Sequence, residues 1–529
     1  MRRLAVLATV VLASGCFAGH AGAVSFAAAV PRGEALSRLA ASDVGLVALS
    51  GDPQATRLVR ARGGRLISPR LRIWKLDGAA AARIVPELDR LGALRYAEPS
   101  RRRDSLVRFV DPLSSPNLSY HLPAIGADRA EPPGAGFPIT ILDSGIDLTH
   151  PDFAARPNTV LLNPQFVSGP RGDDYHGTEV ASVAAAAVNG VGAEGVYPEA
   201  LIRIFDVRDD LADDAVIVGI EAAIAAGPSV INLSLGGPEP SRSLYEATLR
   251  AFAAGSLVVA SSGNELDVGN PTLYPAAFPH VLTVAASDRE SRPTVFSSSG
   301  PTVDLTAPGE NLPFQDPRDP SNYSLISGTS FSAPLVSAAA AWVRTVRGAM
   351  SVSQLADLLR FSARDVAQPG YDERTGYGVL DIPAALAAPL PPRDPQEPND
   401  DVSQVVAAGV FSRAKPLVST RFAAILDETE DPRDVYRVSL PQGRRLTVRV
   451  TSDDDVRVAL FGPITRTVAG SRGRLATTDR AGKLPETVTY TNRTGRPLVL
   501  YLDIEPGRSR TIANPSYRVE LTRIASAPR

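Results

Sequence analysis

The chain has 529 residues, of which 44% are hydrophobic and 21% are charged, and its formal net charge is -2. This length exceeds what one compact core normally supports, so we expect roughly two or three domains. The near-neutral charge implies no strongly basic face, which argues against a nucleic-acid partner.

Residues 1–23 have the pattern of a secretory signal peptide, with two arginines, an apolar run and the small-residue cleavage site Ala21-Gly22-Ala23. The apolar run is too short to span a membrane. Cys16 is the only cysteine, so cleavage after Ala23 would leave a secreted protein without thiols. The stretch Ala13-Ser14-Gly15-Cys16 also resembles a bacterial lipobox. Lipid attachment at Cys16 therefore stays open as the one route to a cell-surface membrane.

Residues 24–108 are predicted to form a small α+β unit. Within 44–100 the apolar periodicity changes in the order strand, helix, strand, strand, helix, strand. This order is typical of a ferredoxin-like split βαβ sandwich. The charged run Arg101-Arg102-Arg103-Asp104 follows it, and we expect an exposed connector there in which a proteolytic cut can occur.

Residues 109–388 alternate short apolar strands with Ala-rich helices, which predicts an α/β domain of three layers around a mostly parallel sheet. Ligands bind such sheets beyond the carboxyl ends of the strands, so polar residues at those ends matter most. The predicted strands are 139–142, 201–205, 230–233, 257–260 and 281–284.

The last part of the chain reads differently. Residues 389–400 are rich in proline and polar residues, which predicts a semi-rigid linker. Residues 401–529 contain short stretches of alternating hydrophobicity that predict an all-β antiparallel sandwich. These stretches are 445–450, 456–461, 486–490, 497–504 and 517–521.

Three polar residues stand at predicted strand ends or helix starts. Asp143 follows the strand 139–142, His176 opens a helix of small residues, and Ser330 precedes a long Ala-rich helix. Each residue alone has an ordinary structural explanation, since Asp is common in turns and Ser commonly caps helices. Together they match the needs of nucleophilic catalysis, because serine needs a base and a carboxylate can orient that base.

The segments around Asp143, His176 and Ser330, in that chain order, resemble the three signatures of the subtilisin-like serine proteases. The resemblance covers roughly half of the chain and implies a secreted endopeptidase acting on proteins or peptides through an acyl-enzyme. Residues 96–100 resemble the end of the family's inhibitory propeptides. The resemblance to the family therefore also implies a self-processing zymogen that is inhibited by its own propeptide. We expect the enzyme to be a monomer.

The same resemblance implies further roles. Asn264 would bind the oxyanion together with the backbone N–H of Ser330. Ser234, Leu235 and Gly236 would form the edge that pairs with the substrate backbone. Leu273 stands where relatives often have glycine at the floor of the pocket for the residue before the scissile bond, so we expect a shallow pocket.

The resemblance departs from the family pattern in two other places. Glu179 stands where relatives most often have a second histidine, and Phe331 replaces a common methionine. Neither residue belongs to the predicted catalytic set. We therefore expect altered packing and retained activity.

No cofactor is expected to be required, but a structural calcium ion is an open possibility. Asp152, together with Asn189 and the glycine-rich loop after it, resembles a calcium site of the family, and calcium favours flexible all-oxygen sites. The alternative is an ordinary loop held by hydrogen bonds.

The C-terminal motifs around residues 397–400, 434–437 and 455–460 resemble bacterial pre-peptidase C-terminal domains, which are small sandwiches appended to secreted peptidases. Two alternatives to a general endopeptidase stay open at this point. The chain could be a surface-bound binding protein that keeps a vestigial peptidase scaffold. It could also be a peptidase dedicated to one partner protein.

Overall fold

The computed structural model describes residues 33–101, 104–105, 108–109, 119–154, 156–164, 175–189, 192–208, 211–316, 323–405, 409–410, 419–512 and 514–525. The predicted signal peptide, Cys16 and most of the predicted connector after Arg101 lie outside these residues.

The first described segment folds into an antiparallel sheet packed against helices. Its strands lie in the order 65–68, 73–77, 44–49, 94–99, and the predicted order of strands and helices is the observed one, with one additional helix in front. Asp52 and Asp77 accept backbone N–H bonds at the starts of the next two helices, which explains where those helices begin. The elements are α1 Glu34–Ala41, β1 Val44–Leu49, α2 Pro53–Ala61, β2 Arg65–Ser68, β3 Ile73–Asp77, α3 Gly78–Arg90 and β4 Leu94–Pro99.

The central part of the chain is the α/β domain. Its elements in chain order are β5 Asp104–Ser105, β6 Arg108–Phe109, α4 His121–Ala124, β7 Ile139–Asp143, β8 Thr159–Leu161, α5 His176–Ala185, β9 Ile202–Asp206, α6 Asp213–Ala225, β10 Val230–Leu233, β11 Leu235–Gly236, α7 Arg242–Ala253, β12 Leu257–Ser261, β13 Val281–Ser287, β14 Leu305–Pro308, β15 Leu312–Gln315, β16 Tyr323–Ser327, α8 Thr329–Arg347, α9 Val352–Phe361 and α10 Ile382–Ala387.

A seven-stranded sheet with the order β14-β13-β12-β10-β7-β9-β8 forms the centre of this domain. Neighbouring strands in it pair in parallel. Helices α5 and α8 pack on one face of the sheet, and α6 and α7 pack on the other. The predicted three-layer α/β fold is confirmed. The edge strands β8 and β14 were not predicted, because a strand of three or four residues carries little periodicity.

The N-terminal unit packs on the second face, against α6 and α7. Leu46, Ile73 and Tyr96 share one buried cluster with residues of these two helices. The Glu98 carboxylate accepts hydrogen bonds from the backbone N–H groups of Arg242 at 2.8 Å and Ser243 at 2.5 Å, at the start of α7. A carboxylate is favoured there, because it satisfies free N–H groups and the helix dipole.

The C-terminal part forms two four-stranded antiparallel sheets that enclose their own core. The all-β antiparallel prediction is confirmed, and β17, β18 and β21 were not predicted. Among the described residues no helix is long and apolar enough to cross a bilayer. The strands are β17 Ser419–Ile425, β18 Asp434–Leu440, β19 Arg444–Ser452, β20 Val456–Phe461, β21 Arg474–Thr478, β22 Glu486–Thr491, β23 Leu498–Pro506 and β24 Ser516–Ala525.

The stretch predicted as a linker is held against its neighbours. Asp394, Gln396 and Asn399 are buried, and the Asn399 carbonyl accepts a hydrogen bond of 2.8 Å from the Val435 N–H of β18. A proline-rich composition predicts stiffness but carries no information on the surfaces that a segment meets. The boundaries 389–400 stay a prediction, but the segment does not behave as a free spacer.

One buried arginine joins the α/β domain to the sandwich. Arg360 of α9 contacts Asp304 at 3.2 Å, Asp357 at 2.5 Å and Asp427 at 3.3 Å. Asp427 belongs to the C-terminal part, so this ion cluster crosses the boundary between the two. Removal of the arginine would leave buried carboxylates without their counter-charge.

The fold predicts a specific response to acid through His121. This side chain is 2% exposed. Burial lowers its pKa to about 4, and a hydrogen bond donated by the imidazole to the Glu194 backbone carbonyl opposes this shift more weakly. Below about pH 6.5 the His121 imidazole is protonated in the unfolded chain but stays neutral in the folded chain. The free energy of unfolding therefore falls as the pH drops from about 6.5 towards 4, by up to about 3 kcal/mol from this residue.

The test is urea unfolding of the chain and of His121→Gln at several pH values, both carrying Ser330→Ala, which removes the predicted nucleophile. Glutamine cannot be protonated, so we expect a smaller acid-induced loss in the variant and no difference in slope above pH 7. Equal acid sensitivity of both proteins would rule out His121 as the cause.

Candidate active site

Asp143 and His176 lie side by side, at the end of β7 and the start of α5. Their side chains are 2% and 3% exposed, and Nδ1 of His176 lies 2.7 Å from Oδ1 of Asp143. The same oxygen accepts the Ser144 N–H at 2.8 Å. A Cβ on Gly177 would meet the Gly145 carbonyl oxygen at 2.1 Å, so glycine is needed for the two segments to approach this closely.

Ser330 is the second residue of α8 and is buried. Its hydroxyl donates a long hydrogen bond of 3.4 Å to the Ser234 carbonyl, and the Ser234 hydroxyl donates one of 2.7 Å to the Ser330 carbonyl. The ring of Phe331 lies 5.9 Å from the His176 imidazole, measured between centroids. The start of α8 therefore lies beside His176 and beside the end of β10.

Asn264 follows β12 and faces the same helix start. Its Oδ1 accepts hydrogen bonds from the Thr329 N–H at 2.9 Å and from the Thr329 hydroxyl at 3.2 Å. Its buried Nδ2 has no hydrogen-bond partner among the described residues. Thr329 thus fixes the orientation of the amide and leaves its N–H groups for an oxygen supplied from outside.

The predicted substrate edge is occupied by the chain itself. The backbone of β5 pairs antiparallel with β11, with Leu235 opposite Ser105 and Gly236 opposite Asp104. Three residues on, β6 pairs with β16, with Arg108 opposite Ser327. The connector after the N-terminal unit therefore adds a strand to the edge next to Ser330, which is the geometry of β-strand addition.

Leu273 lies close to this edge and to Asn264. It is 5% exposed, and a Cβ placed on Gly263 would lie 2.4 Å from its Cδ1. The next residue, Tyr274, exchanges backbone hydrogen bonds with Gly237 at 2.8 and 3.0 Å. The Leu273 side chain therefore fills space beside the segment that carries Asn264.

Asp152 and Asn189 are neighbours, but their side chains have protein partners. Asp152 accepts hydrogen bonds from the Ser182 hydroxyl at 2.5 Å and the Ala193 N–H at 3.2 Å. Burial raises the pKa of Asp152, and the Ser182 hydrogen bond lowers it. Asn189 donates to the Pro151 carbonyl at 2.9 Å. Gly190 and Val191 lie outside the described residues. These oxygens suit calcium in type, and the calcium site stays a prediction.

Two hydroxyl groups were missed as contributors to this site. Thr329 was not predicted to contribute, but its N–H and hydroxyl orient Asn264. Ser234 was read for its backbone, but its hydroxyl ties the end of β10 to Ser330. The sequence offers no indication of either contact except that each hydroxyl residue is close in sequence to a predicted site residue. Glu179 is buried in α5, and the altered packing expected there stays a prediction.

Comparison with known proteins agrees with this geometry. Residues 134–378 match the family model described as the subtilase family. Subtilisin DY of Bacillus licheniformis is 33% identical over 282 residues, which are 51% of this chain and 98% of that protein. The minor extracellular protease Epr of Bacillus subtilis is 32% identical over 254 residues, which are 47% of this chain and 38% of that protein.

The fold also matches a solved structure. Fervidolysin from Fervidobacterium pennivorans, described as a keratinolytic enzyme related to subtilisin, superposes with a TM-score of 0.58 and 21% identity. The match covers 84% of each chain and so extends beyond the α/β domain. The identity to subtilisin DY over nearly its whole length shows the family, and the chain is a serine-type endopeptidase that belongs to the subtilase family.

Proposed function

We propose that the chain is a secreted endopeptidase that hydrolyses peptide bonds through Ser330, His176 and Asp143. His176 takes the proton of Ser330 as its oxygen attacks the peptide carbonyl, and then gives that proton to the leaving amine. In the second step, His176 takes a proton from the water that attacks the acyl-enzyme and returns a proton to the Ser330 oxygen as the acid product leaves. Asp143 orients His176 and stabilises the imidazolium.

The hydrogen bond of 2.7 Å between His176 and Asp143 carries this proposal. It occupies Nδ1, so the other ring nitrogen is the one that serves the serine. Burial of both side chains removes competing water and strengthens the interaction. The orientation of Asn264 supports a further role, in which its Nδ2 and the Ser330 N–H stabilise the tetrahedral oxyanion.

We propose that the N-terminal unit is a propeptide that inhibits the enzyme until self-cleavage. Its support is the backbone pairing of β5 with β11, which covers the edge where substrate would bind. Because β5 pairs with β11, which follows Ser234, and β6 pairs with the end of β16, which precedes Ser330, we propose that the cut falls between Ser105 and Arg108. The burial of Leu46 and Tyr96 against the α/β domain supports a role in its folding.

The proposal also covers the location of the enzyme, its substrates and a structural metal ion. Secretion rests on the pattern of residues 1–23, and lipidation at Cys16 would be the one route to a membrane. Proteins or peptides would be the substrates, in a monomeric enzyme that needs no cofactor. A structural calcium ion at Asp152 and Asn189 is carried forward as a prediction that chelation and thermal unfolding can test.

The first prediction concerns the nucleophile. Ser330→Ala should abolish labelling by a fluorophosphonate probe and leave the chain at its unprocessed length, because no acyl-enzyme can form. N-terminal sequencing of the active protein should find a start within residues 106–108. Ser337→Ala removes another buried hydroxyl of α8, which bonds to Asn232, and should keep both labelling and processing.

The outcomes separate the competing functions. Absence of labelling in the folded parent chain would mean a vestigial scaffold and a binding protein. Labelling without cleavage of casein would favour a peptidase dedicated to one partner. Normal processing of Ser330→Ala would mean that another protease makes the cut.

The second prediction concerns Asn264. Loss of one such donor in a subtilisin lowers kcat about 100- to 1000-fold. We expect Asn264→Ala to lower kcat by a factor of about the same size, with little change in KM. The donor acts on the transition state more than on bound substrate. Asn158→Ala, at a remote loop, is the control and should leave kcat unchanged. An unchanged kcat in Asn264→Ala would remove it from the catalytic set.

The third prediction concerns specificity. If Leu273 forms the floor of the pocket, as we propose, a peptide library should show a preference for small or medium side chains before the scissile bond. Leu273→Ala should deepen the pocket and raise kcat/KM for a phenylalanine substrate roughly tenfold or more relative to an alanine substrate. A preference of the parent enzyme for phenylalanine or tyrosine would contradict this role.

A further inference from the structure

Charge is distributed unevenly along the chain. Residues 401–529 carry 21 lysine and arginine residues against 14 aspartate and glutamate residues, whereas residues 1–400 carry 34 against 43. Several acidic residues of the C-terminal part are also buried, including Asp427, Glu430, Asp434 and Asp503. The near-neutral total charge therefore conceals a C-terminal sandwich whose surface is basic.

Part of this positive charge lies on one flat surface, the solvent side of the sheet β17-β24-β19-β22. In β19, Leu446, Val448 and Val450 are buried in the core, and the alternating residues Arg445 and Arg449 are exposed. Side chains alternate between the two faces of a strand, so both arginines project from the outer face. We call the solvent-facing residues of these four strands the arginine face.

The strand register shows which other residues share the arginine face. Arg449 lies opposite Glu520 of β24, and Thr451 lies opposite Arg518 of the same strand. Residues directly opposite one another in an antiparallel pair point to the same side of the sheet. Hydroxyl groups therefore lie among the arginines, and the threonines that supply them are Thr447, Thr451, Thr487, Thr489, Thr491 and Thr522.

Most of these arginines have no acidic partner. Arg421 of β17 pairs with Glu520 at 3.1 Å, and its side chain is 80% exposed. Among the described residues, no carboxylate lies within salt-bridge distance of Arg445, Arg449 or Arg518, and Glu520 is the one solvent-facing carboxylate of these four strands. Several like charges on one surface create a positive potential that attracts an anion.

The outer face of the other sheet is different in character. Val435, Ala459 and Phe461 of that sheet are buried together with Val468, and Val402 packs against them. That face is apolar and is covered by the chain itself. The arginine face, on the opposite side of the sandwich, is polar and open to solvent.

We propose that the arginine face binds an acidic polysaccharide, a chain that carries carboxylate or sulfate groups at intervals. Arg445 and Arg449 are four residues apart on one strand, which separates them by about 13 Å. They can therefore contact successive charges of an extended ligand. The guanidinium fork matches such anions in shape, and threonine hydroxyls both donate and accept hydrogen bonds, as sugar hydroxyls do.

Two other classes of polyanion fit this surface less well. A flat four-stranded face cannot enter a groove of duplex DNA, which admits a helix or a two-stranded ribbon. The aromatic residues of these strands, Phe422, Tyr490 and Tyr517, alternate with the solvent-facing positions, so the face offers no platform on which nucleobases stack. Ile524 is the one large exposed hydrophobic residue of the four strands, too little apolar surface to insert into a membrane.

The proposal adds a binding function to the sandwich and does not depend on the catalytic assignment. A polysaccharide on the arginine face would hold the enzyme at a negatively charged matrix through backbone that is already ordered. Binding to a regular sheet carries little cost in conformational entropy on the protein side.

The test measures binding of the full chain carrying Ser330→Ala to immobilised polygalacturonate, dextran sulfate and neutral dextran. We expect retention on one or both acidic polymers, which identifies carboxylate or sulfate as the preferred group, and no retention on neutral dextran. Retention should fall between about 50 and 200 mM salt, because binding releases counterions. The combined change Arg445→Gln, Arg449→Gln and Arg518→Gln should raise Kd roughly tenfold or more.

A matched control removes the same charge from the other sheet. Arg466, Arg472 and Arg474 are exposed residues in and before β21, and their combined change to glutamine should keep most of the affinity of the parent. Both triple variants should keep the Tm of the parent, because exposed substitutions of this kind change stability little.

A second variant should gain affinity, which damage to the fold cannot produce. Glu520→Gln removes the one solvent-facing carboxylate of the arginine face and releases Arg421 from its salt bridge. We expect Kd for the retained acidic polymer to fall roughly twofold or more.

Any of three results would overturn the proposal. The first is a parent protein that neither acidic polymer retains at low salt. The second is an equal loss of affinity in the two triple variants, which would mean that total charge matters and this face does not. The third is tighter binding to duplex DNA or to vesicles of anionic phospholipid than to either polysaccharide, which would assign the face to another class of partner.

Discussion

The parallel pairing of the central strands is the constraint on which this site depends. Strands β12, β10 and β7 are neighbours in the sheet, and in a parallel sheet their carboxyl ends meet at one edge. Asn264, Ser234 and Asp143 come from these three ends. His176 and Ser330 come from the starts of α5 and α8, which lie on the same face. Regular strands and helices thus bring together residues that are far apart in sequence.

Buried charge shapes the contacts between the parts of the chain. Glu98 is satisfied by the free N–H groups at the start of α7, and Arg360 is satisfied by three aspartates. Both arrangements supply each buried charge with close partners, which offsets the cost of removing it from water.

The connector after the N-terminal unit occupies the edge that we propose binds substrate. Strand β5 extends the edge of β11, and β6 extends β16. The pairing uses backbone groups, which every peptide carries, so the same edge can accept substrates of varied sequence. We propose that the side chain of Leu273 adds side-chain selection, which backbone pairing alone does not provide.

The sequence by itself determined the α/β class, most of the strands and the identity of Asp143, His176, Ser330 and Asn264 as candidates. Periodicity reports which residues are buried, and a reactive residue type at a strand end or helix start can be recognised locally. Only the tertiary structure decided the short edge strands, the hold of Thr329 on Asn264, the register of β5 on β11 and the burial of the linker. Each of these depends on a partner distant in sequence, and local patterning does not encode which surface a segment will meet.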